Sequence, residues 1–411
     1  MILSEPAEIA ERYRFWQRRV LVTSIIGYAT FYLVRKNLGF AKPIMERDIG
    51  LDDQAFGIFL TLNGVLYGIS KFANGFLADR ANARTFMVSA LIVSALLNLA
   101  FGFSSSLVVL GVIWMLNGWV QGMGFPPCAR LMANWFSPKQ LATKFSIWNA
   151  SHNIGSILIA VLCGYLVVMN WRLCFFVPAV LALGCGAVLW FKLPDTPPSV
   201  GLPEIEGTHV EPTERVAGKV FRNKYIWLVS CANFFVYTLR YAVFDWGPTI
   251  LYKVKHIELV QAGWMVAAFE VFGLIGALLG GWITDRFLGG RAGRACAVYM
   301  ALAGICIFLF WKVPARSEWL TTGLLCASGF FVYGPQCLLA IVAANLATKR
   351  AAATAVGLTS IFGYASTVLS GWGLAQLDGW DARFKVLIGC AVVGTLLFVA
   401  VWPAKAHGYV D

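Results

Sequence analysis

Twelve apolar runs, each long enough to cross a bilayer, dominate this sequence. A helix needs about 20 predominantly apolar residues to span the hydrocarbon core. Runs at approximately 20–45, 55–78, 85–103, 107–134, 142–168, 173–192, 225–252, 261–284, 295–313, 319–347, 351–377 and 384–403 meet that length. Composition agrees: 59% of the 411 residues are hydrophobic and 13% are charged, against roughly 45–50% and 25% in soluble domains. The chain therefore reads as an all-α integral membrane protein, and a soluble enzyme is excluded. The net charge of +12 would point to nucleic acid in a soluble domain. In a membrane protein it raises the question of sidedness instead, and no nucleic-acid partner is expected.

With the N-terminus placed in the cytoplasm, the inner segments carry most of the Lys and Arg, among them Arg12, Arg14, Arg18, Arg19, Arg80, Arg84, Lys219, Arg222 and Arg286. The outer loops carry fewer, among them Lys42, Arg47, Lys253, Lys255 and Arg383. This asymmetry predicts cytoplasmic termini and an even number of spans in a plasma membrane, that of a bacterium being the inner one. No cleaved leader is visible at the N-terminus. The ten cysteines are scattered through apolar segments without a C-x-x-C pair, so they read as small hydrophobes, with neither a metal site nor a disulfide framework expected.

The two halves repeat. Gly75 to Arg80, containing Asp79, ends the second span, and Gly281 to Arg286, containing Asp285, ends the eighth. Arg35 recurs as Arg240 and Pro127 as Pro335, all at nearly one offset of roughly 205–208 residues. The polar stretch from Pro194 to Lys224 separates the halves. The division is thus an N-terminal bundle at 1–193, a cytoplasmic linker at 194–224 and a C-terminal bundle at 225–411. Two such six-span halves predict alternating access around a midplane site. In the repeated turn, Gly allows close helix approach, the acid caps a neighbouring helix end and Arg holds the inner leaflet. Asp79, Arg80, Arg84, Asp285 and Arg286 are accordingly expected to lock the cytoplasmic side of one state.

A charge at a span centre costs about 2.5–3.5 kcal/mol on insertion scales, so intramembrane charges usually face a cavity or a partner. Arg35 and Arg240 sit equivalently in the first and seventh spans, where they are expected to converge on one anion. Two guanidiniums that cannot deprotonate suit a phosphate dianion, because each grips two oxygens with parallel charge-assisted bonds. Lys71 shares a helix face with Tyr67 and reads either as a third cationic contact or as a lysine snorkelling to the interface. Lys36 points away from Arg35 around the helix and is expected to pair with an acid, Asp245 and Glu270 being the candidates. His152, one turn after Trp148, reads as a structural hydrogen-bonder or as a phosphate donor. Arg130 reads as structural. Tyr28, Tyr32, Tyr237, Tyr333 and Tyr364 lie within spans, where they pack or offer hydroxyls to sugar or glycerol oxygens. The Gly64/Gly68, Gly118/Gly122 and Gly276/Gly280 pairs predict tight helix packing inside one chain, and a monomer is expected. No nucleotide-binding loop, nucleophile elbow or metal-ligand cluster is present, so no cofactor and no hydrolytic chemistry are expected.

Several motifs together resemble the organophosphate:phosphate antiporter family of the major facilitator superfamily across essentially the whole chain. They are Arg35-Lys36-Asn37, Tyr67 to Lys71, Asp79 to Arg84, Pro126-Pro127-Cys128-Ala129-Arg130, Trp148 to Asn153, Leu239-Arg240-Tyr241 with Asp245-Trp246, and Tyr333-Gly334-Pro335. The resemblance implies twelve helices in two pseudo-twofold six-helix bundles and exchange of a phosphorylated metabolite for inorganic phosphate. It also implies that Arg35 and Arg240 bind phosphate, that Lys71 and His152 assist, and that Lys36, Asp245 and Glu270 belong to switching salt bridges. The opening segment and the run from Phe269 are similar to the hexose-phosphate sensor and transporter branch. Arg35-Lys36-Asn37 and Asp195 to Pro203 are similar to the glycerol-3-phosphate antiporter. The eleventh span lacks the Asp/Lys pair of the enteric hexose-phosphate transporter. The expected activity is therefore antiport of a sugar phosphate, hexose 6-phosphate ahead of glycerol 3-phosphate, with a sensor of external hexose phosphate as the alternative.

Overall fold

A computed structural model describes residues 6–78, 80–205, 217–287, 292–314, 317–347 and 352–403. The described residues are helical throughout, with no strand among them. In chain order the helices are α1 (Pro6–Leu33), α2 (Leu38–Ile49), α3 (Asp53–Ala78), α4 (Ala83–Phe103), α5 (Leu107–Gly122), α6 (Phe125–Trp135), α7 (Pro138–Asn149), α8 (Ser151–Met169) and α9 (Leu173–Lys192). There follow α10 (Ala217–Arg222), α11 (Lys224–Lys253), α12 (Leu259–Phe287), α13 (Ala292–Lys312), α14 (Glu318–Leu346), α15 (Ala352–Thr367), a π-helical turn (Val368–Gly373) and α16 (Gly379–Val401). Among the described residues ten segments are long and apolar enough to cross a membrane. Large apolar side chains such as Phe72, Phe76, Phe103 and Leu278 stand exposed along them, as lipid-facing positions do. The two remaining expected spans, the first and the eleventh, are interrupted. Charges crowd the start of α1, which breaks before α2, and α15 gives way to the π turn.

Three spans expected to be continuous in the first half are broken: the first at residues 34–37, the fourth between α5 and α6, and the fifth at Ala150. Pro126-Pro127 accounts for the second break, because proline opens a helix at its first turn. The first break is held by asparagines. Val34 O, freed from the helical ladder, accepts hydrogen bonds from Asn98 Nδ2 on α4 and Asn117 Nδ2 on α5, both at 2.9 Å. Asn37 Nδ2 donates to Asn98 Oδ1 at 2.8 Å and to Cys174 O at 2.9 Å. Hydrocarbon offers no water to unpaired backbone groups, so a bent span must bring polar partners from its neighbours.

The chain packs into two compact units. The first comprises residues 1–37, 66–159 and 172–211, and the second 38–65, 160–171 and 212–411. In the first, α4 lies along α9 and α5, and α1 along α9. Its core gathers Phe31, Met87, Leu91, Met132, Trp135 and Trp148. Residues 194–205, read from sequence as the start of the linker, are fastened to this unit. Trp135 Nε1 donates to Asp195 O at 3.1 Å and Arg12 Nη2 to Val200 O at 3.3 Å. Asp195 Oδ1 accepts from Ala83 N at 2.7 Å, which sets a carboxylate on the positive end of α4. Arg130 Nη1 donates to Ala78 O at 3.1 Å, the structural role read for it.

In the second unit α12 packs along α14, α13 along α14 and α16, and α11 along α15 and α16. Small residues set these approaches. A Cβ on Gly276 would run into the Phe330 carbonyl of α14, and one on Gly57 would meet Gly371 O at 2.8 Å. Lys42, Lys255 and Arg383, read as loop charges, are buried at 0%, 3% and 6% exposure. Lys255 Nζ is satisfied by Phe310 O at 2.7 Å and Val313 O at 2.6 Å.

Candidate functional site

Each unit holds one of the two arginines among aromatic rings. In the first unit Arg35 occupies the turn between α1 and α2. The helix break projects it from a fixed backbone, and its guanidinium lies over Tyr32 at 4.1 Å and Tyr67 at 4.6 Å. Cation–π contact stabilises the charge and leaves the planar edge able to donate. Tyr28 and Tyr67 are linked through their hydroxyls at 3.5 Å. Tyr28 also packs on Trp148, with ring centroids 4.8 Å apart. Lys71, one turn beyond Tyr67, sets Nζ over Phe125 at 3.7 Å. His152 lies 6.0 Å from the Tyr32 ring, and its Nδ1 is hydrogen-bonded to Asn149 O. The sequence-selected Tyr28, Tyr32, Arg35, Tyr67, Lys71 and His152 are thus brought together within one unit. Lys36 is half-buried in the same turn as Arg35.

The second unit builds its arginine differently. Arg240 lies inside the unbroken α11 and is 7% exposed. Its Nε donates to the Tyr333 hydroxyl on α14 at 2.9 Å, and its guanidinium lies 4.7 Å from the Tyr333 ring. The Tyr333 hydroxyl in turn donates to Glu270 Oε1 on α12. Glu270 is fully buried. Gly273 makes room for the tyrosine, since a Cβ there would meet the ring at 2.6 Å. Tyr333, selected as a possible ligand for sugar oxygens, therefore has its hydroxyl committed to an acid and to the arginine. Its position is that of a support for Arg240. Tyr237 stands 6.0 Å from the Arg240 guanidinium. The spacing Tyr-x-x-Arg thus occurs in both halves, at Tyr32/Arg35 and Tyr237/Arg240. Asp245 is buried on α11, and Tyr364 is half-buried on α15.

Of the gate residues, Arg84 stacks 5.2 Å from the Trp190 ring. Arg80 and Arg286 are exposed. Asp79 and the side chain of Asp285 lie outside the described residues. Sequence reasoning passed over Asn98 and Asn117, which hold the turn carrying Arg35, and Ser94, whose hydroxyl donates to Asn117 Oδ1 at 2.6 Å. The available signal was amide side chains inside apolar runs, where each polar group must find a partner.

The sequence matches the family described as Major Facilitator Superfamily over residues 24–371. It is 36% identical to a probable hexose phosphate transport protein of Chlamydia pneumoniae, over 96% of this chain and 93% of that one. It is 35% identical to the membrane sensor protein UhpC of Salmonella typhimurium (98% and 96% covered) and 35% identical to the glycerol-3-phosphate transporter of Bacillus subtilis (95% and 93%). A crystal structure of a bacterial homologue of the human lysosomal transporter Spinster superposes with a TM-score of 0.79 at 14% identity, covering 94% of this chain and 96% of that one. At that identity the likeness concerns the fold alone.

Proposed function

The chain belongs to the Major Facilitator Superfamily, and from that premise we propose that it exchanges a sugar phosphate for inorganic phosphate. It is an integral membrane transporter and not an enzyme. The preferred organic substrate is a hexose 6-phosphate such as glucose 6-phosphate, with glycerol 3-phosphate second. The relatives named for these two substrates support both. We place it as a monomer in the plasma membrane with both termini cytoplasmic, following the Lys and Arg asymmetry.

The observation that carries this reading is the arginine held among tyrosines in each half of the repeat. Arg35 and Arg240 bind the phosphoryl group, which each can grip through two donors. Lys71 and His152 add donors, and Tyr28, Tyr32, Tyr67, Tyr237 and Tyr364 line the organic moiety. Tyr333 orients Arg240. Lys36, Asp245 and Glu270 exchange ion-pair partners as the halves 1–193 and 225–411 rock about the site, while Asp79, Arg80, Arg84, Asp285 and Arg286 close the cytoplasmic side. Occluding two guanidiniums without an anion is costly, and a bound dianion removes that cost. Switching therefore proceeds with cargo aboard, so exchange follows from electrostatics.

The sensor named among the relatives favours a second reading, a receptor for external hexose phosphate acting through a signalling partner. Proteoliposomes loaded with phosphate separate the two. Uptake of labelled glucose 6-phosphate that depends on internal phosphate supports the carrier. Saturable binding with no flux supports the receptor and refutes exchange.

A further inference from the structure

Five charged side chains in the second compact unit form a continuous chain of ion pairs. Lys42 Nζ on α2 sits between Glu46 Oε2, at 2.5 Å, and Asp53 Oδ1 at the start of α3. Glu46 also takes Lys253 Nζ from the end of α11, at 2.5 Å. Asp53 Oδ2 takes Arg383 Nη1 from α16, at 2.6 Å. The Arg383 guanidinium is seated over Trp380 at 4.5 Å and Trp246 at 5.1 Å. The middle of the chain is dry and its rim is wet: the Lys42 and Arg383 side chains are 0% and 7% exposed, whereas Glu46 and Lys253 are 31% and 34% exposed.

Position in the chain gives the cluster its meaning. Lys42, Glu46 and Asp53 belong to the first half of the repeat, and Lys253 and Arg383 to the second. All five lie where spans one, two, seven and twelve end or begin, at the far end of the first span from the N-terminus. A second cross-half contact accompanies them. Thr61 Oγ1 donates to Thr367 O at 3.0 Å and accepts from Trp372 N at 2.8 Å. It thereby occupies the backbone groups where α15 widens into its π turn, an irregularity that leaves helical donors and acceptors for other partners. Gly57 and Gly371 allow the close approach at the same place.

We propose that this chain of ion pairs is a charge latch between the two halves, closed in this structure, and that it must break for the outer side to open. The inference rests on the alternating-access reading above. A latch has to hold without being irreversible, and an ion-pair chain meets that requirement. When the halves part, the two pairs that cross between them, Glu46–Lys253 and Asp53–Arg383, separate. Their charges regain water, so lost attraction is offset by hydration and the cluster contributes little net bias. Deleting one acid is different. Without Asp53, Arg383 and Lys42 stay buried and undercompensated in the closed state. Without Glu46 the same holds for Lys42, and Lys253 at the rim loses that pairing. Either loss favours opening.

Two measurements in phosphate-loaded proteoliposomes test this. In the double variant Glu46→Cys/Lys253→Cys, bridging with a short bifunctional thiol reagent should abolish exchange, while the single variants treated alike keep it. Exchange that survives bridging overturns both the latch and alternating access at this end. Asp53→Asn, or the half-exposed Glu46→Gln should the first fold poorly, should lower the apparent KM for external glucose 6-phosphate by threefold or more. The reason is that apparent affinity scales with the fraction of protein open to that side. Amide hydrogen exchange should quicken in 38–49 and 379–385 but not elsewhere. Simple structural damage would raise KM instead. If bridging stops exchange but neither acid variant shifts KM or amide exchange, the latch is wrong and alternating access stands.

Discussion

Replacing Arg240 with lysine tests the proposed anion site most directly, because the structure fixes what the substitution removes. Arg240 Nε is engaged by the Tyr333 hydroxyl at 2.9 Å, and a guanidinium carries its further N–H donors in a fixed fork beside that bond. Lysine keeps the charge but offers one ammonium in place of that fork, so it either satisfies Tyr333 or meets the phosphate with fewer donors. The loss is at least one hydrogen bond to a charged group, about 1.5–3 kcal/mol. Since about 1.4 kcal/mol corresponds to tenfold in affinity, half-saturation by phosphate should rise by about tenfold to about a hundredfold. Phosphate self-exchange in proteoliposomes reads this directly, with circular dichroism confirming that Arg240→Lys folds. Arg35→Lys should lose a comparable amount. Its seat over Tyr32 and Tyr67 would accept an ammonium, but the fork would be gone there too. A half-saturation within about threefold of the parent for either variant would refute the assignment of paired guanidinium forks to one phosphoryl group.

Asn117→Ala removes one of the two side-chain donors to Val34 O and the acceptor for the Ser94 hydroxyl. The buried groups left behind cost about 1–3 kcal/mol, so the thermal midpoint in detergent should fall clearly, whereas an unchanged midpoint would mean that the break does not need its amides. Acid should weaken the ion-pair chain through Glu46, whose immediate charged neighbours are Lys42 and Lys253, with Asp53 and Arg383 beyond. Burial pushes its carboxyl up, but hydrogen bonds from Lys253 and Lys42 outweigh burial and hold it below the usual range. A lowered folded value means that the contribution is complete above the unfolded glutamate value of about 4.3 and is lost as pH falls through the folded one. Hydrogen exchange at 38–49 should therefore quicken only in that acid range, and Glu46→Gln should remove the step.

Ten of the twelve expected spans were legible because apolar length and Gly and Pro punctuation are long-range patterns, and among the described residues ten helical segments carry them. The grouping of Tyr28, Tyr32, Arg35, Tyr67, Lys71 and His152 was legible for a related reason, since polar residues inside apolar runs have few places to go. Helix breaks were harder to read. Nothing in the apolar run over 20–45 forces an interruption at 34–37, because the cause lies in amides on α4 and α5, far along the chain. Lys42 and Arg383 were misread as loop charges because the acid they share, Asp53, joins segments 330 residues apart, a pairing that no local pattern shows. Tyr333 looked like any intramembrane tyrosine until α12 brought Glu270 to its hydroxyl.

The two arginines share a register in the repeat, yet the chain presents them from unlike backbones, an unbroken helix for Arg240 and a turn for Arg35. Arg240 is fixed twice over, by an unbroken α11 and by the Tyr333 and Glu270 relay, so its donors are directed before any anion arrives. Arg35 stands at a backbone turn, with its guanidinium over the Tyr32 and Tyr67 rings. The exchange proposed above requires the chain to bend as its halves rock, and a turn beside one arginine supplies a place for that bend. The turn at 34–37, with its carbonyl held by Asn98 and Asn117, lets α1 and α2 change direction without exposing an unpaired backbone group to lipid. Under the proposed exchange the buried amides of α4 and α5 serve transport as well as stability, because without them the turn that carries Arg35 would leave the Val34 carbonyl unpaired.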